Sequence, residues 1–253
     1  MPTTYIRNAG TWPKVKKAFI KNGGVWSEIK TIWVRNSGAW SKYFVNLVTV
    51  NVTTFMNNIN LKSLYVSQTG ENPSSDVTAL FNINANIGST SSATPSLVTD
   101  SWPSGSQITI SIANGVYVAG AGGGACTAGG AAISLGNNVS IINNGIIAGG
   151  GGGGGSINVS SRGNAVGGTG AGLVNGQLYN ATAGTYWIYG SYPRDYADGL
   201  GGTGGALGSA GSPRGGNSGT GAFGSECSQG AGGVSIQSNG YTATITGSGS
   251  RIN

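Results

Sequence analysis

The chain has 253 residues, a formal net charge of +6, only 8% charged side chains, 49 glycines and no histidine. Low charge at a mean hydropathy near zero excludes ordinary disorder, which needs high net charge and few apolar residues. Without histidine, and with carboxylates scattered, no serine triad, cysteine–histidine pair or metal-ligand cluster can be assembled, so neither catalysis nor a cofactor is expected.

The first segment is basic. Residues 1–44 carry Arg7, Lys14, Lys16, Lys17, Lys21, Lys30, Arg35 and Lys42 against Glu28, a net +7. The remainder carries five basic and six acidic residues, a net −1. Such a segment reads first as a solvated or partner-facing surface rather than a nucleic-acid site. Residues 1–8 are polar with no apolar stretch behind them, so no secretory signal is expected. No apolar run is long enough to span a bilayer as a helix.

Residues 1–44 are an internal repeat with a period of 14. Tyr5, Phe19 and Trp33 align, as do Arg7, Lys21 and Arg35, then Asn8, Asn22 and Asn36, then Gly10, Gly24 and Gly38, then Trp12, Trp26 and Trp40. Apolar alternation on either side of Asn-x-Gly predicts a short β-hairpin per copy. One hairpin alone is marginal in water, so the three are expected to pack as a small β-prism with a tryptophan core.

Residues 45–118 change to Val/Ile/Thr/Asn patterning. Alternation predicts strands over 45–53, 77–85 and 107–112, separated by turn signals at 69–73 and 102–105. No helical period stands out, and an all-β module is expected. A looser repeat begins here: Asn114-Gly115 and Asn144-Gly145 each follow a strand and lead into a glycine block, and residues 130–134 resemble 232–236.

Residues 119–235 hold most of the glycines, in blocks at 120–124, 149–155, 167–172, 199–205 and 215–224. Irregular spacing and few prolines exclude collagen, and no phosphate-loop motif is present. A flexible linker would not carry aromatic inserts. The remaining reading is a bundle of extended glycine helices of polyproline-II geometry, whose outward N–H and C=O groups bond to neighbouring segments. Seven consecutive glycines at 149–155 mark the central, fully surrounded segment. Cys126 and Cys227 lie inside such blocks and either bridge or remain two buried thiols.

Residues 177–198 interrupt the glycines with Tyr179, Tyr186, Trp187, Tyr189, Tyr192 and Tyr196, beside Arg194 and Asp195. Tyrosine and tryptophan among small polar residues is the composition of recognition loops. Arg162 and Arg214 sit in two further loops. Asp195 and Asp198 read as solvated loop acids rather than a calcium site. A last strand over 241–245 and a polar tail complete the expected division into 1–44, 45–118, 119–235 and 236–253.

Asn-Gly turns leading into long glycine blocks, at 112–120 and 144–155, resemble the receptor-recognising adhesins at the tail-fibre tips of T-even-type bacteriophages. The likeness covers roughly residues 105–253. It implies a sandwich of polyglycine helices whose distal loops bind an outer-membrane protein or saccharide, at the tip of a virion tail fibre assembled in the host cytoplasm. Residues 1–44 depart from the usual start of that family and resemble short Trp-containing repeats of assorted phage tail proteins. Phage fibres are commonly homotrimers. The resemblance therefore implies a trimeric tail-fibre partner, capped by one copy of this chain. Arg7, Trp12, Lys21, Trp26, Trp33, Arg35 and Trp40 are the expected attachment residues. A polyglycine antifreeze protein or a secreted glycine-rich structural protein is the alternative. The Tyr-rich insert and the Trp repeat argue against it.

Overall fold

The computed structural model describes residues 18–253 apart from residues 30, 37, 46, 74, 75, 160–162, 167, 175, 188–198, 201, 202 and 214–225. Among the described residues the fold is all-β with one short helix. Two antiparallel hairpins come first: β1 (Ala18–Asn22) with β2 (Val25–Ile29), and β3 (Thr31–Asn36) with β4 (Ala39–Val45). They coincide with the second and third sequence repeats. Gly23 and Gly24, at φ 56° and 87°, make a two-residue turn that needs positive φ at both positions. The first repeat lies outside the described residues.

From residue 47 the chain winds into a three-faced parallel solenoid. The first coil contributes β5 (Leu47–Val52), β6 (Met56–Asn57), β7 (Ile59–Asn60) and the helix α1 (Leu61–Thr69). The second contributes β8 (Thr78–Ile83), β9 (Ile87–Gly88) and β10 (Leu97–Val98), and the third β11 (Gln107–Ile112), β12 (Tyr117–Ala119) and β13 (Ile133–Ser134). The fourth opens with β14 (Val139–Asn143) and β15 (Ile146–Ala148). It then makes a long excursion holding β16 (Ser156–Val159), β17 (Gly163–Ala165), β18 (Gly172–Val174), β19 (Gln177–Tyr179), β20 (Tyr186–Trp187), β21 (Gly199–Leu200) and β22 (Glu226–Cys227), and closes with β23 (Ile236–Gln237). A last coil supplies β24 (Ala243–Thr246) and β25 (Ser250–Ile252). Equivalent strands stack as β5-β8-β11-β14-β24, β6-β9-β12-β15-β25 and β7-β10-β13-β23.

Alternation in each long strand sends every second side chain inward. Val50, Phe81, Ile110 and Ile141 occupy one register column and are buried, as are Val52, Ile83 and Ile112 in the next. Side chains at the corners tie coil to coil. The Asn82 amide donates to Asn51 Oδ1 across 31 residues, and the Ser106 hydroxyl accepts from Val77 N across 29. Across the long excursion, Asn138 Oδ1 accepts from Thr242 N, 104 residues away. Asn58, at φ 50°, donates to Ser89 Oγ and the Pro95 carbonyl while accepting from Thr90 N.

Three expectations are corrected. The helix α1 was not expected. It is short, and it starts because Asn60 Oδ1 accepts from Ser63 N and stops because Gly70 takes φ 74° and donates to the Val66 carbonyl. Its Leu61 and Tyr65 are buried. Tyr65 meets Trp102 edge-on at 5.4 Å, and Trp102 meets Phe81 at 6.2 Å, so the helix closes over the first coil. The polar tail is not a tail, because Ser250–Ile252 pair with Ile146–Ala148. The looser repeats are real in kind but shifted. Tyr117 pairs with Ile146 and Ile133 with Ile236, each one residue from the alignment that sequence similarity suggests, because ladder bonds rather than residue likeness set the register.

Asn60 also donates to Asp100 Oδ2 at 2.9 Å, joining the helix cap to the second coil. This bond holds the Asp100 carboxyl below the usual carboxylate range, with Ser101 N and Lys62 helping and partial burial opposing. A depressed folded value stabilises above the unfolded pKa of about 3.9 and is lost as pH falls through the folded value. Asp100→Asn, which tolerates the φ of 62° at this position, should therefore lose stability at neutral pH and converge on the parent once pH falls below the folded value. Urea melts across that range check it, and parallel curves would refute the role of the carboxylate.

Candidate functional site

The excursion of the fourth coil, with residues 120–130 of the third, builds a glycine array. Residues 149–155 run through its centre, buried throughout. Their amides donate outward with a period of three. Gly150 and Gly153 bond to Gly130 and Thr127, Gly151 and Gly154 to Ala171 and Gly168, Gly152 and Gly155 to Ser209 and Ser212. Their carbonyls accept from three other segments: Gly151 and Gly154 from Gly123 and Cys126, Gly149 and Gly152 from Gly208 and Gly205, Gly150 and Gly153 from Gly233 and Gly230. The central segment thus has no internal bonds and six bonded neighbours. A Cβ on Gly149, Gly150, Gly151, Gly152 or Gly153 would overlap the carbonyl oxygen of Gly233, Ala121, Gly205, Gly230 or Gly124, respectively. Apart from small ones such as those of Ala121 and Ala171, side chains lie toward the outside. There, Thr169 and Thr182 pair hydroxyls at 3.1 Å, and Thr203 pairs with Ser212 at 2.8 Å.

The array has two different ends. The near end joins the solenoid: Gly120 donates to Ala148 and Gly149 to Ile252, so coil stacking passes into the glycine segments. At the far end β16 pairs with β17 and β22, β20 pairs with β21, and these two small sheets lie against each other. The three connections that begin and end on these strands or on 209–213, one short and two long, include residues 160–162, 188–198 and 214–225.

The expected recognition residues divide accordingly. Tyr186 and Trp187 form β20 at the far end, in register with Leu200 and Gly199. Arg162, Tyr189, Tyr192, Arg194, Asp195, Tyr196 and Arg214 lie outside the described residues. Tyr179 is at the other end. Its hairpin of β18 and β19 folds back beside β9, where Asn86 donates to the Gly176 carbonyl and Gly176, at φ 78°, lies against Phe55. Leu173 of that hairpin is fully buried with Ala119 and Ala148, while Leu178 and Tyr179 stay exposed. Sequence proximity to Tyr186 therefore does not carry Tyr179 into the same surface.

Of the expected attachment residues, Arg7 and Trp12 lie outside the described residues. The hairpin registers set Lys21 opposite Trp26 and Arg35 opposite Trp40, the same basic–tryptophan pair in both repeats. Lys21 Nζ sits 5.8 Å from the Trp26 ring centre, within cation–π reach. Trp26 is 65% exposed and Trp33 50%, with Phe19, Ile20 and Val25 also exposed. The expected tryptophan core does not enclose these two rings.

The cysteine alternatives resolve as a bridge. Cys126 and Cys227 are joined with Cα atoms 5.8 Å apart, within the usual disulfide span. The signal in the sequence was their placement inside glycine blocks, but only the array brings those blocks together.

The family model described as Phage tail fibre adhesin Gp38 matches residues 47–252, and the chain belongs to that family. The match leaves the hairpin module outside. The fold is similar to a chain in the crystal structure of the gp37-gp38 adhesin tip complex of the bacteriophage S16 long tail fiber, with a TM-score of 0.51 and 23% identity. That likeness covers 83% of this chain and 84% of the other. No curated protein sequence matches.

The glycine geometry separates two substitutions of equal chemistry. Gly151→Ala should cost more than about 4 kcal/mol, because its Cβ meets the Gly205 and Ala206 carbonyls. Gly124→Ala should be nearly neutral, since its Cβ would meet only Thr127 Oγ1 at 3.6 Å. Thermal melts of the two purified variants decide it, and equal losses would contradict the packing.

Proposed function

We propose that this tail fibre adhesin forms the receptor-recognising tip of a phage tail fibre. It binds a bacterial outer-membrane protein or surface saccharide through loops at the far end of the glycine array. The observation that carries this reading is the common origin of these three connections, two of them long, at one end of the glycine array. Rigid scaffolds with loops at one end are where recognition surfaces recur, because the scaffold bears the fold and leaves the loops free to vary. The segments are read as polyglycine II helices. The three-residue period of donors and acceptors along 149–155 supports this, and seven residues at roughly 3.1 Å each make a body about 22 Å long.

Binding, not chemistry, is the proposed activity. Tyr186, Trp187, Tyr189, Tyr192, Arg194, Asp195, Tyr196, Arg162 and Arg214 are the proposed contact set, and Tyr179 is left out because it lies at the near end. Membership of an adhesin family does not favour an ice-binding reading.

The hairpin module is proposed to attach the tip to the fibre. Its support is an exposed surface of Phe19, Ile20, Trp26 and Trp33 beside basic residues, adjoining the first coil. Three equivalent hairpins would give each subunit of a trimeric fibre protein the same contact. This matches one chain to a three-fold end that a single asymmetric surface could not serve.

Two measurements test these readings. Alanine at Trp187 and Tyr189 together should lower cell binding by more than about 2 kcal/mol at unchanged melting temperature. Lost stability with retained binding would make the pair structural instead. Native mass measurement of the assembled fibre end should give one copy of this chain per three fibre chains, and equal numbers of the two would exclude the cap.

A further inference from the structure

The bridge between Cys126 and Cys227 joins two places that the backbone already holds. Cys126 N donates to the Gly154 carbonyl and Thr127 N to the Gly124 carbonyl, which fixes the turn carrying the first cysteine. Cys227 lies opposite Ser156 in the β16–β22 ladder, and Gly230 N beyond it donates to Gly153. The two cysteines therefore meet without help from the covalent bond. Around Cys227, however, the hold is thin. The strand β22 has two residues, ends directly after one of the long connections, and is paired on one side by β16.

Cys126 also sits where a cysteine needs a reason. Its φ is 64°, in the left-handed region that glycine enters freely and other residues do not, and it stands in a chain that uses glycine at most such turns. Solvent reaches the pair, because Cys227 is exposed and Cys126 half-buried. A bond needed for folding is typically buried in the core it supports. This one lies at the rim, at the root of the far-end strands, and closes a span of 101 residues that includes most of the excursion.

We propose that the Cys126–Cys227 bridge is a removable redox lock on the far end of the array. The chain folds with both residues as thiols. A small-molecule disulfide such as oxidised glutathione then closes the lock. The Cys227 thiolate attacks one glutathione sulfur, forming a mixed disulfide and releasing one glutathione thiolate. The Cys126 thiolate attacks the Cys227 sulfur and releases the second. Two electrons pass to the glutathione disulfide, and the two protons lost by the cysteines end on the two glutathione thiols. Cytosolic thiol pools keep such a pair reduced, whereas extracellular conditions favour the bridge. The far end is thus pliant where thiols are abundant and fixed where they are scarce.

The test uses the full chain, reduced with dithiothreitol or oxidised with oxidised glutathione, and the variant Cys126→Gly, which cannot bridge but suits the backbone. Amide hydrogen exchange is read at 153–156 and 227–230, with 108–112 and 139–143 of the solenoid as the internal reference. The expected result is a folded reduced chain whose far-end amides exchange at least about tenfold faster than in the oxidised chain, with solenoid amides unchanged and Cys126→Gly behaving as reduced. Equal far-end exchange in both states overturns the proposal, and so does failure of the reduced chain to fold. Weaker cell binding by the reduced chain is a further expected result. It rests on the proposed receptor-binding role of the far end. If neither form binds cells, that role fails while the exchange result still judges the lock.

Discussion

Inside the glycine array each extended segment makes no hydrogen bonds to itself, so its N–H and C=O groups must be paired by other segments. Residues 149–155 do this in three directions as donors and in three as acceptors. Neighbours this close leave no space for a Cβ, and the sequence must be glycine wherever a segment is surrounded. Ordering so much glycine carries a large backbone entropy cost. Dense pairing offsets part of it. The solenoid supplies the rest of the order, since the amides of Gly120 and Gly149 continue the coil-to-coil ladder into the first array segments.

The solenoid and the array therefore divide the work. Apolar columns such as Val50, Phe81, Ile110 and Ile141 give the solenoid an ordinary hydrophobic core, closed at the first coil by Leu61, Tyr65 and Trp102. The array has few large apolar side chains, and its segments are held to one another mainly by backbone pairing. Its near end is tied down by the hairpin that buries Leu173, and its far end by the small sheets of β16, β17 and β22 and of β20 with β21. A body held this way carries its long connections at one end without involving the solenoid core.

The hairpin module follows a third logic. Its basic–tryptophan cross-strand pairs repeat at the same register, Lys21 with Trp26 and Arg35 with Trp40, and Phe19, Ile20, Val25, Trp26 and Trp33 are exposed. It lies outside the residues that match the adhesin family. Among the described residues, no side chain of the hairpins enters the solenoid's buried apolar cluster, so that core does not depend on them.

Local pattern alone was enough for the strands at 47–52, 78–83 and 107–112, for the hairpin turns, and for glycine segments packed on one another, because alternation, positive φ and missing side chains are properties of neighbouring residues. The helix α1 was hidden because two caps and a few buried contacts, not periodicity, maintain nine residues of helix. The solenoid was hidden because its coils recur at 31, 29 and 31 residues with few shared residue types, and the last step is stretched to 104 by the excursion. Tyr179 looked like part of the aromatic insert until the chain reversed at Gly176. The cysteine pair was undecidable from a spacing of 101 residues. Each of these depends on which distant segments become neighbours, and that is decided by long-range backbone pairing, which leaves no mark on the residues between.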